Sequence, residues 1–388
     1  MFALELNIVF FSYKSKDMKQ LLTTLLFLLT LHVYSQQKVE TMQMDSLISL
    51  WHTERAEELK GEWENQAMVY GGNTMKFWHK YYGDAPRGTR SMWISMHGGG
   101  NAPAELNNQQ WENQKLLYKP SEGLYVAPRA PWNDWDMWFK PGMDELLHRL
   151  ITAAVLFEGV DPNKVYLMGY SAGGDGVWRM GPRMADSWAA ASMMAGHPGD
   201  VSLLSLRNTP FMMWVGELDT AYERNKKVPE WGKKLDQLQS EDSEGYVHET
   251  HVVKGKPHWM NLEDAAAVPW MAKFTRNPLP QRVVWQQGDV MHNYFYWLGV
   301  NKDEAKKGNL LIAERNGNTI EIIHSDYSSV TIYLNERMFN LDKTIVVKYK
   351  SKEIFREKVK KNVELMKTTL YERDDPNYMF CSKLKLNL

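Results

Sequence analysis

Between a short, nearly all-apolar run, Lys164 to Met168, and a stretch of helical spacing from about Ala172 to Met184 stand Gly169-Tyr170-Ser171-Ala172-Gly173-Gly174. A strand that must turn at once into a helix is the tightest constraint in this chain. The flanking glycines remove side chains that such a turn would bring into collision, and the serine is forced out at the top of a sheet as an exposed nucleophile. The N–H of Ala172 then points toward negative charge developing on a substrate oxygen, helped by the positive end of the helix. A plain glycine-rich helix cap is the competing reading, and the strand before and helix after these residues argue against it.

The alternation of strand and helix extends along the chain. Arg90–Met96, Gly123–Ala127, Ala189–Ala195, Pro210–Val215 and Tyr246–Val253 read as further strands, with helices over Met143–Phe157 and near Val228–Leu238. This predicts an α/β fold, a doubly wound and mostly parallel sheet covered on both faces. Ahead of it, Met44–Lys60 has an amphipathic helical pattern and Tyr81–Arg90 is polar and turn-rich. Two prolines within Arg276–Arg282 interrupt the pattern. A domain boundary is expected there, with residues 36–280 forming the main domain and 281–388 a smaller C-terminal β-rich one. In that tail Leu310–Glu314 and Thr319–Ile323 flank Asn316-Gly317, the favoured sequence for a tight hairpin. Val330–Leu334, Ile345–Tyr349 and Leu384–Leu388 add strands and Asn362–Tyr371 a helix, predicting a small β-sandwich. Nine basic residues against three acidic ones between Lys343 and Lys367 read as a solvated sheet face.

At the start, Lys14, Lys16 and Lys19 precede the 11-residue apolar run Leu21–Leu31, followed by the small residues Val33 and Ser35. That is the pattern of a secretory signal peptide over residues 1–35, and a location outside the cytoplasm, secreted or periplasmic, is expected. Met18, directly before Lys19, is an alternative true start. The run is too short for a stable membrane span, which takes about 20 residues. Lys+Arg 46 against Asp+Glu 47 leaves a net charge of -1, without the basic footprint of a nucleic-acid binder. A single cysteine, Cys381, excludes an internal disulfide and a cysteine-based metal site, and no metal or other cofactor is expected.

A serine hydroxyl needs a base to take its proton, and the base needs an acid to hold its tautomer. Asp219 follows the strand Pro210–Val215 and His258 follows the strand Tyr246–Val253, both at the edge where such sheets gather their sites. Glu217 and Asp200 are the competing acids, and His251 and His197 the competing bases. His97-Gly98-Gly99-Gly100, directly after Arg90–Met96, lets backbone N–H groups approach a substrate oxygen; Gly99 is favoured over Gly98 as the second oxyanion donor, and His97 as an anchor of the loop.

In these four motifs, standing in this order over Arg90 to Phe274, the chain resembles the α/β-hydrolase superfamily, and within it the secreted esterases related to poly(3-hydroxybutyrate) depolymerases, feruloyl esterases and dienelactone hydrolases. The resemblance implies a serine hydrolase acting on a carboxylic ester through an acyl-enzyme, with Ser171 as nucleophile, Asp219 as orienting acid, His258 as base, and Gly99 with Ala172 as oxyanion donors. Many relatives carry a helical cap after the strand that here ends near Ala195. Only 14 residues separate Ala195 from Pro210, so no large lid is expected and the site should be open, as in polymer-acting esterases.

Pocket-lining residues are expected among His197, Trp132, Trp135, Trp138, Tyr170 and Trp259; the three tryptophans of the 132–138 loop offer indole faces for a sugar or aromatic acyl group, or form a core plug. Asp134 and Asp136 lack the spacing information that a glycosidase pair would require. His248 and His251, three apart in a strand, face opposite sides and do not suggest a metal. Asp175 suits the helix dipole. The partner is thus an ester substrate, polymeric or carbohydrate-linked among the options, and oligomeric state stays open. Two rivals remain at this level: a serine peptidase resembling prolyl oligopeptidases, and a non-catalytic binding protein with a vestigial triad.

Overall fold

Strands that bury both faces need side chains that tolerate no water, and the central strands meet this demand almost without a break. The structure, a computed structural model, describes residues 42–388. The signal pattern and Met18 lie outside the described residues. The chain divides into two compact units, Met1–Thr53 and Glu54–Leu388. Residues 42–64 are a helix, α1, of which residues 42–53 are the described part of the first unit.

In the second unit an eight-stranded sheet comprises β1 (Ala67–Tyr70), β2 (Asn73–Tyr82), β3 (Arg90–Met96), β4 (Gly123–Arg129), β5 (Val160–Tyr170), β6 (Ala190–Met194), β7 (Phe211–Gly216) and β8 (His248–Val253), in the order β1-β2-β4-β3-β5-β6-β7-β8. Strands β3 to β8 run parallel, and β1 and β2 are antiparallel additions at one side. Every residue of β4, β6 and β7 is buried, the mark of strands covered by helices on both faces. The covering helices include α2 (Ala104–Lys115) against β3 and β4, α4 (Ala172–Arg183) against β5 and β6, and α5 (Arg224–Glu241) against β7 and β8, with α3 (Met143–Ala153) beside β1 and the short α6 (Ala267–Met271) beside β6. This is the doubly wound sheet that the alternation predicts.

Several elements have no counterpart in the sequence reading, among them β1, β2, α2 and α6. Tyr81 and Tyr82 belong to β2, so the polar lead-in begins only at Gly83; β2 alternates between exposed and buried positions, which hides it from a search for apolar runs. Helix α2 (Ala-Glu-Leu-Asn-Asn-Gln-Gln-Trp-Glu-Asn-Gln-Lys) is polar on nearly every side and leaves no apolar period to find. Between β6 and β7 there is one short turn of helix, Leu204–Asn208, and no helical lid.

From Arg282 onward the chain builds two further sheets. One contains β10 (Tyr294–Phe295), β11 (Leu298–Val300), β14 (Ser329–Leu334) and β17 (Ser382–Asn387); the other β9 (Arg282–Gln286), β12 (Leu310–Asn316), β13 (Thr319–Ser325), β15 (Ile345–Tyr349) and β16 (Lys352–Glu357). Val283, Trp285, Ile320 and Ile345 from the second sheet share one apolar core with Leu298, Val330, Ile332 and Leu384 from the first, so the two sheets pack as a sandwich. The hairpin between β12 and β13 turns at Gly317-Asn318, one residue later than the Asn316-Gly317 expected, because Asn316 still pairs with Thr319. Helix α7 (Val363–Arg373) starts at Asn362, whose side chain accepts a hydrogen bond from the Leu365 N–H. Among the described residues, no helix is long and apolar enough to cross a membrane.

Candidate active site

The turn from β5 into α4 is strained in the way the sequence foreshadows. Ser171 holds φ 57° and ψ −120°, a conformation costly for a side-chain-bearing residue. Its N–H donates to the Met194 carbonyl at 2.9 Å, and its carbonyl accepts from the Asp175 N–H at 2.9 Å, so neighbouring β6 and the first helical turn hold the strain in place. A side chain at Gly173 is impossible: a Cβ there would stand 2.1 Å from the Met96 carbonyl oxygen. The helix therefore presses on the end of β3, and the serine has only the open edge of the sheet to point into.

At that edge three side chains form one hydrogen-bonded chain. His258 Nε2 is 2.9 Å from Ser171 Oγ, and His258 Nδ1 is 2.6 Å from Asp219 Oδ2. Because a carboxylate only accepts, Nδ1 carries the proton and Nε2 is left to accept from the hydroxyl. Asp219 is 2% exposed, while the His258 side chain is partly open to solvent. The loop bearing His258 is pinned by Tyr170, whose hydroxyl donates to the His258 carbonyl at 2.5 Å and accepts from the Met260 N–H at 3.1 Å. Of the competing residues, Glu217 is turned toward the Gly255 N–H, Asp200 pairs with Arg179 and Lys307 at the surface, and His251 of β8 stacks on Trp214 of the neighbouring β7.

The loop after β3 approaches the serine from the other side. His97 is fully buried; its Nδ1–H donates to the Gly98 carbonyl at 2.6 Å, its Nε2 accepts from the Ala130 N–H at 3.2 Å, and its own carbonyl accepts from the Trp138 indole at 2.9 Å. Burial pushes this imidazole down to about 3, so it is a neutral anchor. Gly100 spends its N–H on Asn107 Oδ1 at 2.8 Å, whereas among the described residues no partner is found for the N–H of Gly99 or Ala172. Gly99 sits at φ 107°, and a Cβ there would lie 2.3 Å from Asn107 Oδ1. Asn107, buried in α2 and donating to the Ala102 and Pro103 carbonyls, thus fixes this loop. Sequence reasoning misses Asn107 because its helix has no apolar stripe.

Two cavities meet at Ser171. The larger, about 860 Å³, is lined by His258, Tyr170, Trp259, Leu106, Leu116 and Leu262. The smaller, about 420 Å³, is bounded by Ala172, Trp135, Asp175, His197, Tyr222 and Arg224. Of the residues expected to line a pocket, Tyr170 and Trp259 border the first, and His197 and the 62% exposed Trp135 border the second. Trp138 is corrected: it is 0% exposed and serves as the core plug beneath His97. Trp132 lines neither cavity; its ring lies 5.9 Å from the Lys140 ammonium. Asp175 and Arg224 belong to the site in a way the sequence reading did not assign. Burial pushes the Asp175 carboxyl up to about 6, and it accepts the His197 N–H at 2.5 Å. Among the described residues, no group of three or more His, Cys, Asp or Glu side chains is placed to hold a metal ion.

No protein-family model matches the sequence, and no curated protein does. Solved structures with a similar fold include a thermostable esterase, 19% identical, TM-score 0.40, covering 54% of this chain and 62% of that one. They also include Est1E from Butyrivibrio proteoclasticus, 13% identical, TM-score 0.35, covering 53% of this chain and 97% of that one. A third is the BES protein from Bacillus cereus, 12% identical, TM-score 0.37, covering 53% and 92%. The chain thus spans less than two thirds of the thermostable esterase's length.

Proposed function

We propose that the protein is a serine hydrolase that cleaves a carboxylic ester through an acyl-enzyme. The observation that carries this reading is the unbroken chain Ser171 Oγ, His258, Asp219 at the carboxyl edge of the sheet. Ser171 Oγ attacks the ester carbonyl carbon as His258 Nε2 takes the hydroxyl proton, and Asp219 steadies the imidazolium that forms. The negative charge moves to the carbonyl oxygen, where the free N–H groups of Gly99 and Ala172 receive it. Collapse of this intermediate breaks the bond to the alcohol oxygen, which leaves with the proton from His258. Water then attacks the acyl-serine, with His258 again as base, and releases the acid and the free serine. With no metal or redox step, the overall change is one ester plus one water to one acid plus one alcohol.

The leading pattern of Lys19, Leu21–Leu31 and Ser35 supports export, so that the working location is secreted or periplasmic. The test of the activity is covalent labelling: a fluorophosphonate should attach to Ser171, located by peptide mass, and the label should vanish in Ser171→Ala. Labelling at another serine, or none at all, would overturn the assignment.

A further inference from the structure

Arg224 is held by fewer hydrogen bonds than Arg207 and Arg276, two buried arginines of the same unit; Arg373, whose Nε and Nη2 also lack partners, is instead covered by the rings of Tyr294, Tyr333, Tyr378 and Phe380. Arg207 makes three hydrogen bonds, two to Asp242 and one to Asn208, at 2.7 to 3.0 Å. Arg276 reaches Asn163, the Asp186 carbonyl and Asp375 at 2.5 to 3.1 Å. Arg224 is as deeply placed, 6% exposed, yet its one approach is Nη1 to Asp219 Oδ1 at 3.5 Å, and its Nε has no partner among the described residues. The guanidinium lies 4.9 Å from the ring of Tyr222, itself 74% exposed. A desolvated fork of donors left open costs free energy that a bound anion repays.

The other charges at the cavity are already committed. Arg179 pairs with Asp200 and Asp289, at 3.0 and 2.5 Å. Asp175 accepts from the His197 N–H. What is left for a ligand is Arg224, beside the Tyr222 ring and in the same cavity as Trp135. The two halves of an ester are also sorted by the chemistry. The leaving oxygen must take its proton from His258 Nε2, so the alcohol half occupies the larger cavity, where His258, Leu116, Trp259 and Leu262 are found. The acyl half extends past Ala172 toward Arg224.

We infer that the smaller cavity receives an acyl group bearing a second carboxylate, which Arg224 binds through the part of its guanidinium that lines the cavity, so that the preferred substrates are half-esters of dicarboxylic acids. This rests on the esterase reading above. The planar guanidinium matches a carboxylate in a way that a lysine ammonium does not.

The test uses the full chain and two ester series followed by proton release: monobenzyl succinate, glutarate and adipate, against benzyl butyrate, valerate and hexanoate. Each pair differs by a carboxylate in place of a methyl group. The wild-type protein should prefer the half-ester by about tenfold or more in kcat/KM at one chain length at least, mainly through KM, and free dicarboxylate of that length should slow fluorophosphonate labelling of Ser171. The ratio of half-ester to neutral ester should collapse in Arg224→Gln and recover in part in Arg224→Lys. Wild-type protein that hydrolyses the neutral esters without favouring any half-ester overturns this inference alone, whatever the variants do. An Arg224→Gln variant that keeps the full preference overturns it as well. Absence of both hydrolysis and Ser171 labelling would overturn the esterase reading and this inference together.

Discussion

The edge of the sheet that carries Ser171 and the junction that carries Arg276 are both buried, polar and charged, yet they treat hydrogen bonds in opposite ways. At the junction the valences around Arg276 are used: Arg276 is held by Asn163, Asp186 and Asp375, the Tyr378 hydroxyl donates to the Asp186 carbonyl at 2.7 Å, and the Tyr296 hydroxyl to the Ala185 carbonyl at 3.0 Å, while the unpartnered Nε and Nη2 of Arg373 are sealed among aromatic rings. At the edge they are left open: the N–H groups of Gly99 and Ala172, the Nε of Arg224 and the strained Ser171 all wait for something the chain does not supply. Closed polar networks fix one arrangement of packed pieces, whereas open ones are what a ligand or a transition state can complete.

The sharpest way to break this contrast is to remove a group from each region and compare what is lost. Ser171→Ala should lower ester turnover by about three orders of magnitude or more and leave the melting temperature near that of the wild type, because the hydroxyl points into the open edge. Full activity in that variant, read by initial rates, would mean that the strain at Ser171 serves only the fold. Gly99→Ala comes next. A methyl group there meets Asn107 Oδ1 and a positive φ, so the donor must move, and kcat should fall by about 100-fold with KM changed less. An unaltered kcat would exclude the Gly99 N–H as an oxyanion donor.

The junction should answer in the other currency. Arg276→Ala leaves Asp375 buried without its partner and should cost about 3–5 kcal/mol of stability, with kcat/KM per folded molecule close to wild type. Phe295, Tyr296 and Trp297 are likewise buried, and the Trp297 indole donates to the Pro280 carbonyl at 2.8 Å. A chain ending at Pro280 is therefore expected to be insoluble. If it is soluble and active on small esters, the C-terminal sandwich is separable after all and the contrast drawn above is one of binding, not packing.

What could be read from the sequence follows the same division. The elbow at Ser171, the order Ser171, Asp219, His258 and the glycines after β3 were legible because backbone geometry at a sharp turn admits few residue types, and those types stand out as letters. The central strands were legible because burial on both faces leaves continuous apolar runs. Asn107 and Arg224 were not: Asn107 acts on a loop seven residues away through Gly100, Arg224 is brought to the cavity beside Asp219 only by the fold, and neither carries a local pattern. Strand β2 and helix α2 escaped because they are half exposed, so propensity and periodicity weaken together. For Trp138 the loop sequence allows either a contact surface or a core plug, and only the fold decides for the plug under His97.

The smallest expected effect belongs to Asp175, and it tests whether the open edge costs stability. In the unfolded chain its carboxyl has the ordinary value of 3.8; in the fold, burial pushes it up to about 6. The folded protein thus binds the proton more tightly than the unfolded chain. Its contribution to stability is fully present below the ordinary carboxylate range and is lost as pH rises through about 6. Asp175→Asn keeps an acceptor for the His197 N–H but removes the charge, so the variant should be more stable than the wild type by about 2 kcal/mol near pH 8, with the gap closing between about pH 6 and pH 4. Urea unfolding of both proteins across that range measures it directly. A gap that stays constant with pH would mean that Asp175 is not desolvated at neutral pH, and that this side of the edge holds its charge without strain.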